Sequence, residues 1–249
     1  MKTIAIIPAR YQSTRFPGKP LALINGRPMI QWVFENVSKA SGLDEVYVAS
    51  DDQRIYETVI GFGGKALMTS PDHTCGSDRL AECAEILGLE DDDIILNIQG
   101  DEPMIQPEMV QALREAFSTV DVYMTTLKKK IENNEELDNP NVVKVVTDLN
   151  GYALMFSRSK LPYDREKKKV LEYFKHIGAY GYKKWFLVKY SSLEKTPLEQ
   201  TESLEQLRVL EHGYRIKVAE TNFQSIGVDT PEQLDMVEKE IIKKLGGNK

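Results

Sequence analysis

Four short apolar runs, each followed by residues at helical spacing, alternate without interruption through the first 120 residues of this 249-residue chain. "TIAIIPA", "EVYVAS", "KALMTS" and "DIILNIQG" read as strands, being short and rich in aliphatic and β-branched side chains. Between them, "PMIQWVFENVSKAS" sets Met29, Ile30, Val33, Phe34 and Val37 on one helical face, with Pro28 suited to the first turn. Asp51 and Asp52 cap "QRIYETVIGF", Gly88 ends "SDRLAECAEILG", and "PEMVQALREAF" supplies a fourth helix. Such alternation specifies an α/β fold, a mostly parallel sheet flanked by helices on both faces. Strands covered on both sides are nearly continuous apolar runs, as these are. Ligands of such sheets bind beyond the carboxyl ends of the strands, so the informative loops are "PARYQSTRFPGKP", "SDDQ", "SPDHTCGSDR" and "QGDEP".

Beyond residue 120 the rhythm changes. "DVYMTTLKK", "VVKVVTD", "ALMFSRS", "HIGAYGY" and "YRIKVAET" read as strands, and "WFLVKYSSL", "SLEQLRVLEHG" and "PEQLDMVEKEIIKKLG" as helices. "KKKIENNEELDNPN" reads as a polar surface connection. One domain is expected: a first half over approximately residues 1–120, a smaller lobe over approximately 121–225, and a return to the main body over 226–249.

With 41% hydrophobic residues the chain can bury a sizeable core. Its net charge of -6 argues against a general nucleic-acid binder, which needs a broad basic face. Cys75 and Cys83 are too few for a disulfide framework and lack zinc spacing. No apolar stretch approaches the length of a membrane span or a signal peptide, and a soluble cytoplasmic protein is expected.

Against that acidic balance, the loop after the first strand packs Arg10, Arg15 and Lys19 together with the small residues Ala9, Ser13, Thr14 and Gly18. Exposed backbone N–H groups and two guanidinium forks suit phosphate oxygens, and Lys19 adds a mobile point charge. A triphosphate fits; a solvated loop with locally paired cations is the plain alternative. Neither the Walker sequence G-x-x-x-x-G-K-S/T nor the dinucleotide fingerprint G-x-G-x-x-G occurs, which disposes of a nicotinamide dehydrogenase. A triphosphate bound for chemistry needs a divalent cation with carboxylate ligands. Asp101 follows a buried strand in "NIQGDEP", where it also reads as a turn or capping residue. Asp229 in "SIGVDTPEQL" precedes a helix start already served by Thr230, Pro231 and Gln233, and is left over for another use. Spacing alone does not bring Asp229 to Asp101.

In order along the chain stand "IPARYQSTRFPGKPL", "VASDDQRI", "MTSPDHTCGSDRL", "NIQGDEP", "FSRSKLPY", "KHIGAYGY", "ESLEQLRVLEHG" and "GVDTPEQL". These segments cover nearly the whole chain and closely resemble the 3-deoxy-manno-octulosonate cytidylyltransferases. One departure is "CGSDR" at residues 75–79, where that family usually shows Ser-Gly-Thr-Asp-Arg; Ser77 keeps a hydroxyl and Cys75 loses one.

The resemblance implies a nucleotide-diphospho-sugar transferase type of sheet, with a smaller lobe that binds the sugar acid and forms a homodimer. It implies nucleotidyl transfer from CTP to 3-deoxy-manno-octulosonate (Kdo), Mg²⁺ as cofactor, and a product destined for lipopolysaccharide or capsule. Catalytic roles would fall to Lys19, Asp101 and Asp229, with both aspartates as metal ligands. Pro8, Ala9, Arg10, Arg15, Lys19, Cys75, Gly76, Ser77 and Asp78 would bind the nucleotide. Gln99, Arg158, His176, Tyr180, Glu205 and Gln206 would bind the sugar acid. Several have plainer readings: Asp78 as a helix cap, His176 and Tyr180 as core, Gln206 as part of a capping box with Ser203, and Arg158 as a surface ion pair. Two rivals remain on the same residues: a cytidylyltransferase for 8-amino-Kdo or another sugar acid, and a nucleotide-binding regulator without chemistry. The intact "GDEP" leans towards ordinary Kdo, and the pair Asp101 and Asp229 speaks against a mere sensor.

Overall fold

The computed structural model describes residues 1–12, 15–73, 76–119, 121–166 and 172–246. The first half runs β1 (Thr3–Pro8), β2 (Leu23–Ile24), β3 (Arg27–Pro28), α1 (Met29–Ser38), β4 (Glu45–Ser50), α2 (Gln53–Gly61), β5 (Ala66–Met68), α3 (Gly76–Ile86), β6 (Ile94–Asn97) and α4 (Pro107–Glu115). The second runs β7 (Met124–Lys130), α5 (Asn134–Asp138), β8 (Lys144–Thr147), β9 (Ala153–Ser157), β10 (Phe174–Lys183), α6 (Lys184–Ser191), α7 (Pro197–Glu202), α8 (Gln206–Glu211), β11 (Lys217–Glu220) and α9 (Pro231–Gly246).

Strands β6, β1, β4 and β5 lie side by side and parallel. The chain leaves β1 outward to β4 and β5, then returns to β6 on the other flank. A topological switch point therefore lies between β1 and β6, where a crevice opens at the strand ends. The long strand β10 inserts antiparallel between β6 and β7, and β11 closes that edge parallel to β7. Hairpin β8–β9 joins through β10.

Alternation along β1 divides the core. Ile4 and Ile6 pack on one face under Leu80 of α3, Phe186 of α6 and Leu207 of α8. Ala5 and Ile7 pack on the other under Val33 of α1, Val59 of α2 and Val110 of α4. A third cluster seats Val237 and Ile241 of α9 against Ile24, Met29 and Met104, returning the end of the chain to the first half.

Three details differ from the sequence expectations. Pro28 does not open α1 but ends β3, pairing with Leu23, and leaves the helix to begin at Met29. The polar connection before β8 holds the short helix α5, capped by Asn133. A further two-turn helix, α7, precedes α8.

Candidate active site

The cationic loop leaves β1 at the switch point. Gly18 there has φ +72°, and a Cβ on it would stand 3.1 Å from the Tyr11 ring. Glycine lets the loop fold back at that point and deliver Lys19 to the start of a short turn. Lys19 Nζ then donates to Asp101 Oδ2 at 2.7 Å and to Asp229 Oδ1 at 3.1 Å. Arg15 Nη2 pairs with the other oxygen of Asp229 at 3.1 Å. Arg10 Nη2 donates to the His73 carbonyl at 2.7 Å, tying this loop to the one before α3. Ser13, Thr14 and Cys75 lie outside the described residues.

Both aspartates arrive by backbone means. Gly100 lets the loop after β6 press against β1, since a Cβ there would meet the Pro8 carbonyl at 2.8 Å. The Val228 N–H donates to the Asp101 carbonyl at 2.9 Å and so docks the segment before α9 beside it. The expected cap of α9 forms: Gln233 Oε1 accepts from Thr230 N at 3.2 Å and from Asp229 N at 2.7 Å, leaving the Asp229 carboxylate for Lys19 and Arg15. Glu102 does not join the pair. Its burial, with the Asp101 charge beside it, pushes its carboxyl up to about 7.

Two carboxylates converging on one ammonium make a place suited to positive charge. Among the described residues no group of three or more metal-ligating side chains occurs. Mg²⁺ is commonly held by one or two carboxylates plus substrate phosphate oxygens and water. Asp101 and Asp229 fit that donor set.

A cleft of about 440 Å³ is lined by Pro8, Ala9, Arg10, Arg15, Lys19, Gly76, Gln99 and Asp101 among others. It adjoins a cavity of about 280 Å³ lined by Ser77, Asn97, Met124, Tyr180, Tyr182, Tyr190, Ser203, Leu204, Glu205 and Gln206. Gly76 and Gln99 line both, so the two spaces meet at those residues. The expected nucleotide and sugar-acid residues thus fall largely into two connected compartments at the carboxyl ends of β1 and β6.

Ser77, expected at the nucleotide, lines the smaller cavity instead, and three expected residues line neither compartment. Asp78 is in the first turn of α3, rotated away from the cleft, and faces a different recess beside Ser191 and Lys195. Arg158 donates to the carbonyls of Glu202, Pro140 and Ser203 at 2.7, 3.1 and 3.4 Å, which turns its guanidinium to holding the wall from outside. His176 sits behind Tyr180, with ring centroids 5.5 Å apart, and shares a hydrogen bond of 2.9 Å with Thr126 Oγ1. Desolvation pushes the His176 imidazolium down to about 3, so the ring is neutral at pH 7. The alternative capping role for Gln206 is also absent: Ser203 adopts a left-handed conformation at the end of α7, and Gln206 opens α8 with its amide buried.

Sequence reasoning missed Asn97, Tyr182, Tyr190, Ser203 and Leu204 in the cavity wall. Asn97 had a signal, a lone amide in a buried strand, whereas the tyrosines look like ordinary core. The fully buried Arg79 was also missed as a support: it bonds Thr69 Oγ1 and approaches Asp51 at 3.3 Å, fixing the start of α3 against the ends of β4 and β5.

A cytidylyltransferase family model matches residues 4–217. A 3-deoxy-manno-octulosonate cytidylyltransferase of Fusobacterium nucleatum subsp. nucleatum is 56% identical over 95% of this chain and 96% of its own length. An 8-amino-3,8-dideoxy-manno-octulosonate cytidylyltransferase of a Shewanella species is 48% identical over 97% of this chain and 99% of its own. Among solved structures, CMP:2-keto-3-deoxy-manno-octonic acid synthetase complexed with CTP superposes with a TM-score of 0.92 at 43% identity, covering 98% of this chain and 100% of that one.

Proposed function

Because the chain belongs to the cytidylyltransferase family and matches its 3-deoxy-manno-octulosonate members over nearly its whole length, we infer that it transfers CMP from CTP to Kdo and releases pyrophosphate. The observation that carries this reading is the junction at Gly76 and Gln99 between a cleft bearing Arg10, Arg15, Lys19 and Asp101 and a cavity walled, apart from Glu205, by uncharged side chains. One compartment suits a polyanion, the other a polyhydroxylated acid.

In the reaction the anomeric hydroxyl of Kdo loses its proton and its oxygen bonds the α-phosphorus. The bond from that phosphorus to the bridging oxygen breaks, and pyrophosphate departs in line. Such transfers are won by positioning and by neutralising charge on the phosphate oxygens. Arg10 and Arg15 would hold the outer phosphates, and Lys19, less exposed than Arg15 and beside the two aspartates, would meet charge on the transferred group. Asp101 and Asp229 would hold Mg²⁺, which when bound neutralises phosphate oxygens and acidifies a coordinated hydroxyl. Gln99, which lines both compartments, would orient the reacting ends of both substrates. Tyr180, Glu205 and Gln206 would contact the sugar, with His176 and Arg158 supporting that wall from behind.

A second reading, transfer to 8-amino-Kdo, is favoured by one feature. Glu205 is the one charged side chain among the described residues lining the smaller cavity, and its carboxylate would welcome an ammonium. The homodimer is carried by the resemblance, and the second half exposes Leu149, Leu154 and Tyr163 to suit a partner copy. A cytoplasmic setting and a lipopolysaccharide or capsule product follow from the same reading.

The test is pyrophosphate release with CTP and Mg²⁺, comparing Kdo, 8-amino-Kdo and N-acetylneuraminate. Release that requires Kdo and falls at least ~100-fold in Asp101→Asn is the expected result. Preference for the amino sugar would move the assignment to the second reading. No release with any acid would end the catalytic one.

A further inference from the structure

Asn97 closes β6 on the face covered by α3, α6 and α8. Its cross-strand partners are Ile6 on β1 and Tyr180 on β10. Ile95, two residues earlier on the same face, is wholly buried in the apolar core. At Asn97 that apolar packing gives way to the 280 Å³ cavity, whose lining includes its side chain. The residue is only 5% exposed, yet its Oδ1 has no hydrogen-bond partner. Across the sequence, Gln206 at the start of α8 is 4% exposed, and its Nε2 is likewise without a partner in the same cavity.

Buried polar atoms are nearly always paired, because an unpaired one forfeits its hydration for nothing. A leucine or valine would serve the strand better if packing were the only demand. One wall thus presents a bare acceptor and another a bare donor. A sugar hydroxyl both donates and accepts, so hydroxyls of the bound acid can satisfy the two together.

We propose that Asn97 is a specificity-determining residue for the sugar acid, its Oδ1 accepting a hydrogen bond from one hydroxyl of the substrate while Gln206 donates within the same cavity. This rests on the sugar-acid reading of the cavity given above. A site built to bond a hydroxyl rejects an analogue lacking it far more strongly than an apolar pocket rejects an extra methylene.

The experiment is kcat/KM for Kdo and for its 4-, 5-, 7- and 8-deoxy analogues, in the parent enzyme and in Asn97→Ala. In the variant, kcat/KM for Kdo should fall ~10–100-fold through KM for Kdo, with KM for CTP within about twofold of the parent. One analogue that is poor with the parent should lose that handicap in the variant, identifying the hydroxyl held. If Asn97→Ala does not fold, Asn97→Ser is carried through the same cycle, with thermal unfolding as the check. An equal loss with Kdo and every analogue, or no loss at all, overturns the proposal while leaving the reaction intact. A parent enzyme that turns over no sugar acid removes the functional reading, and the proposal with it.

Discussion

Lys19 is only 13% exposed at its side chain and is clasped by two carboxylates, at 2.7 Å from Asp101 and 3.1 Å from Asp229. Without its ammonium the two acids would face each other with Arg15, itself largely exposed, as the one ion-pair partner among the described residues to offset them. The same pair that attracts Lys19 would attract a divalent cation, so the two compete for one place. Lys19→Met should therefore bind Mn²⁺ about tenfold more tightly than the parent when no nucleotide is added, by paramagnetic relaxation of water protons. Its CMP transfer should nevertheless fall, because the phosphate loses a cation. Unchanged or weaker Mn²⁺ binding would mean that Lys19 does not oppose the metal. At this scale the cations were legible, since three of them crowd one short loop in an acidic chain. The meeting of Lys19 with Asp229 was not, because 210 residues separate them and tertiary contacts bring the segment in: the backbone bond from Val228 to Asp101 and the packing of Val228 with Met29 and Met104.

Helices α7 and α8 hold the segment that forms one wall of the smaller cavity. Glu199 on α7 accepts from Arg208 Nε on α8 at 2.7 Å and is bonded by Nη2 as well, with both side chains more than nine-tenths buried. Burial pushes the Glu199 carboxyl up, but the Arg208 guanidinium outweighs it and holds the group below its ordinary value. Removing one partner of a buried pair leaves the other charge uncompensated, at a cost of roughly 3–5 kcal/mol. Glu199→Ala should lower the unfolding midpoint by roughly 6–20 °C by calorimetry. It should also raise KM for the sugar acid more than KM for CTP, since residues 203–206 hang from this pair. Equal effects on both substrates would show that the pair serves stability alone. The helix-start pattern of α7, Thr196, Pro197 and Glu199, went unread, and a two-turn helix has too few apolar positions to show a period. Its neighbour α8 was legible because Leu207, Val209 and Leu210 mark a buried stripe.

For the molecule as a whole, the parallel half could be read directly from strand and helix alternation. The place of β10 could not. Its residues pair with β6 and β7, distant in sequence, and no local pattern states which strands a long antiparallel strand will join. That insertion sets Tyr180 opposite Asn97 and puts His176 behind it, against Phe156 and Thr126. The consequence appears in the dependence of global stability on pH. His176 in the folded chain titrates near 3 because burial disfavours its charged form, whereas an unfolded histidine titrates near 6.5. Between those values the unfolded chain binds the extra proton, so stability rises with pH through that window. It is fully present above about 6.5 and is lost progressively as pH falls towards 3. The depressed Glu199 acts in the same direction but only below about 4.5, where an unfolded glutamate begins to take up its proton. Urea midpoints measured from pH 7.5 to 4.5 should therefore decline in the parent and stay flatter in His176→Gln, which keeps a polar side chain but cannot charge. Below pH 4.5 Glu199 adds the same decline to both, while the gap from His176 keeps widening until pH nears 3. Parallel profiles across the whole range would place the His176 proton in the folded state as readily as in the unfolded one, and would remove the buried neutral imidazole from the account of this sheet.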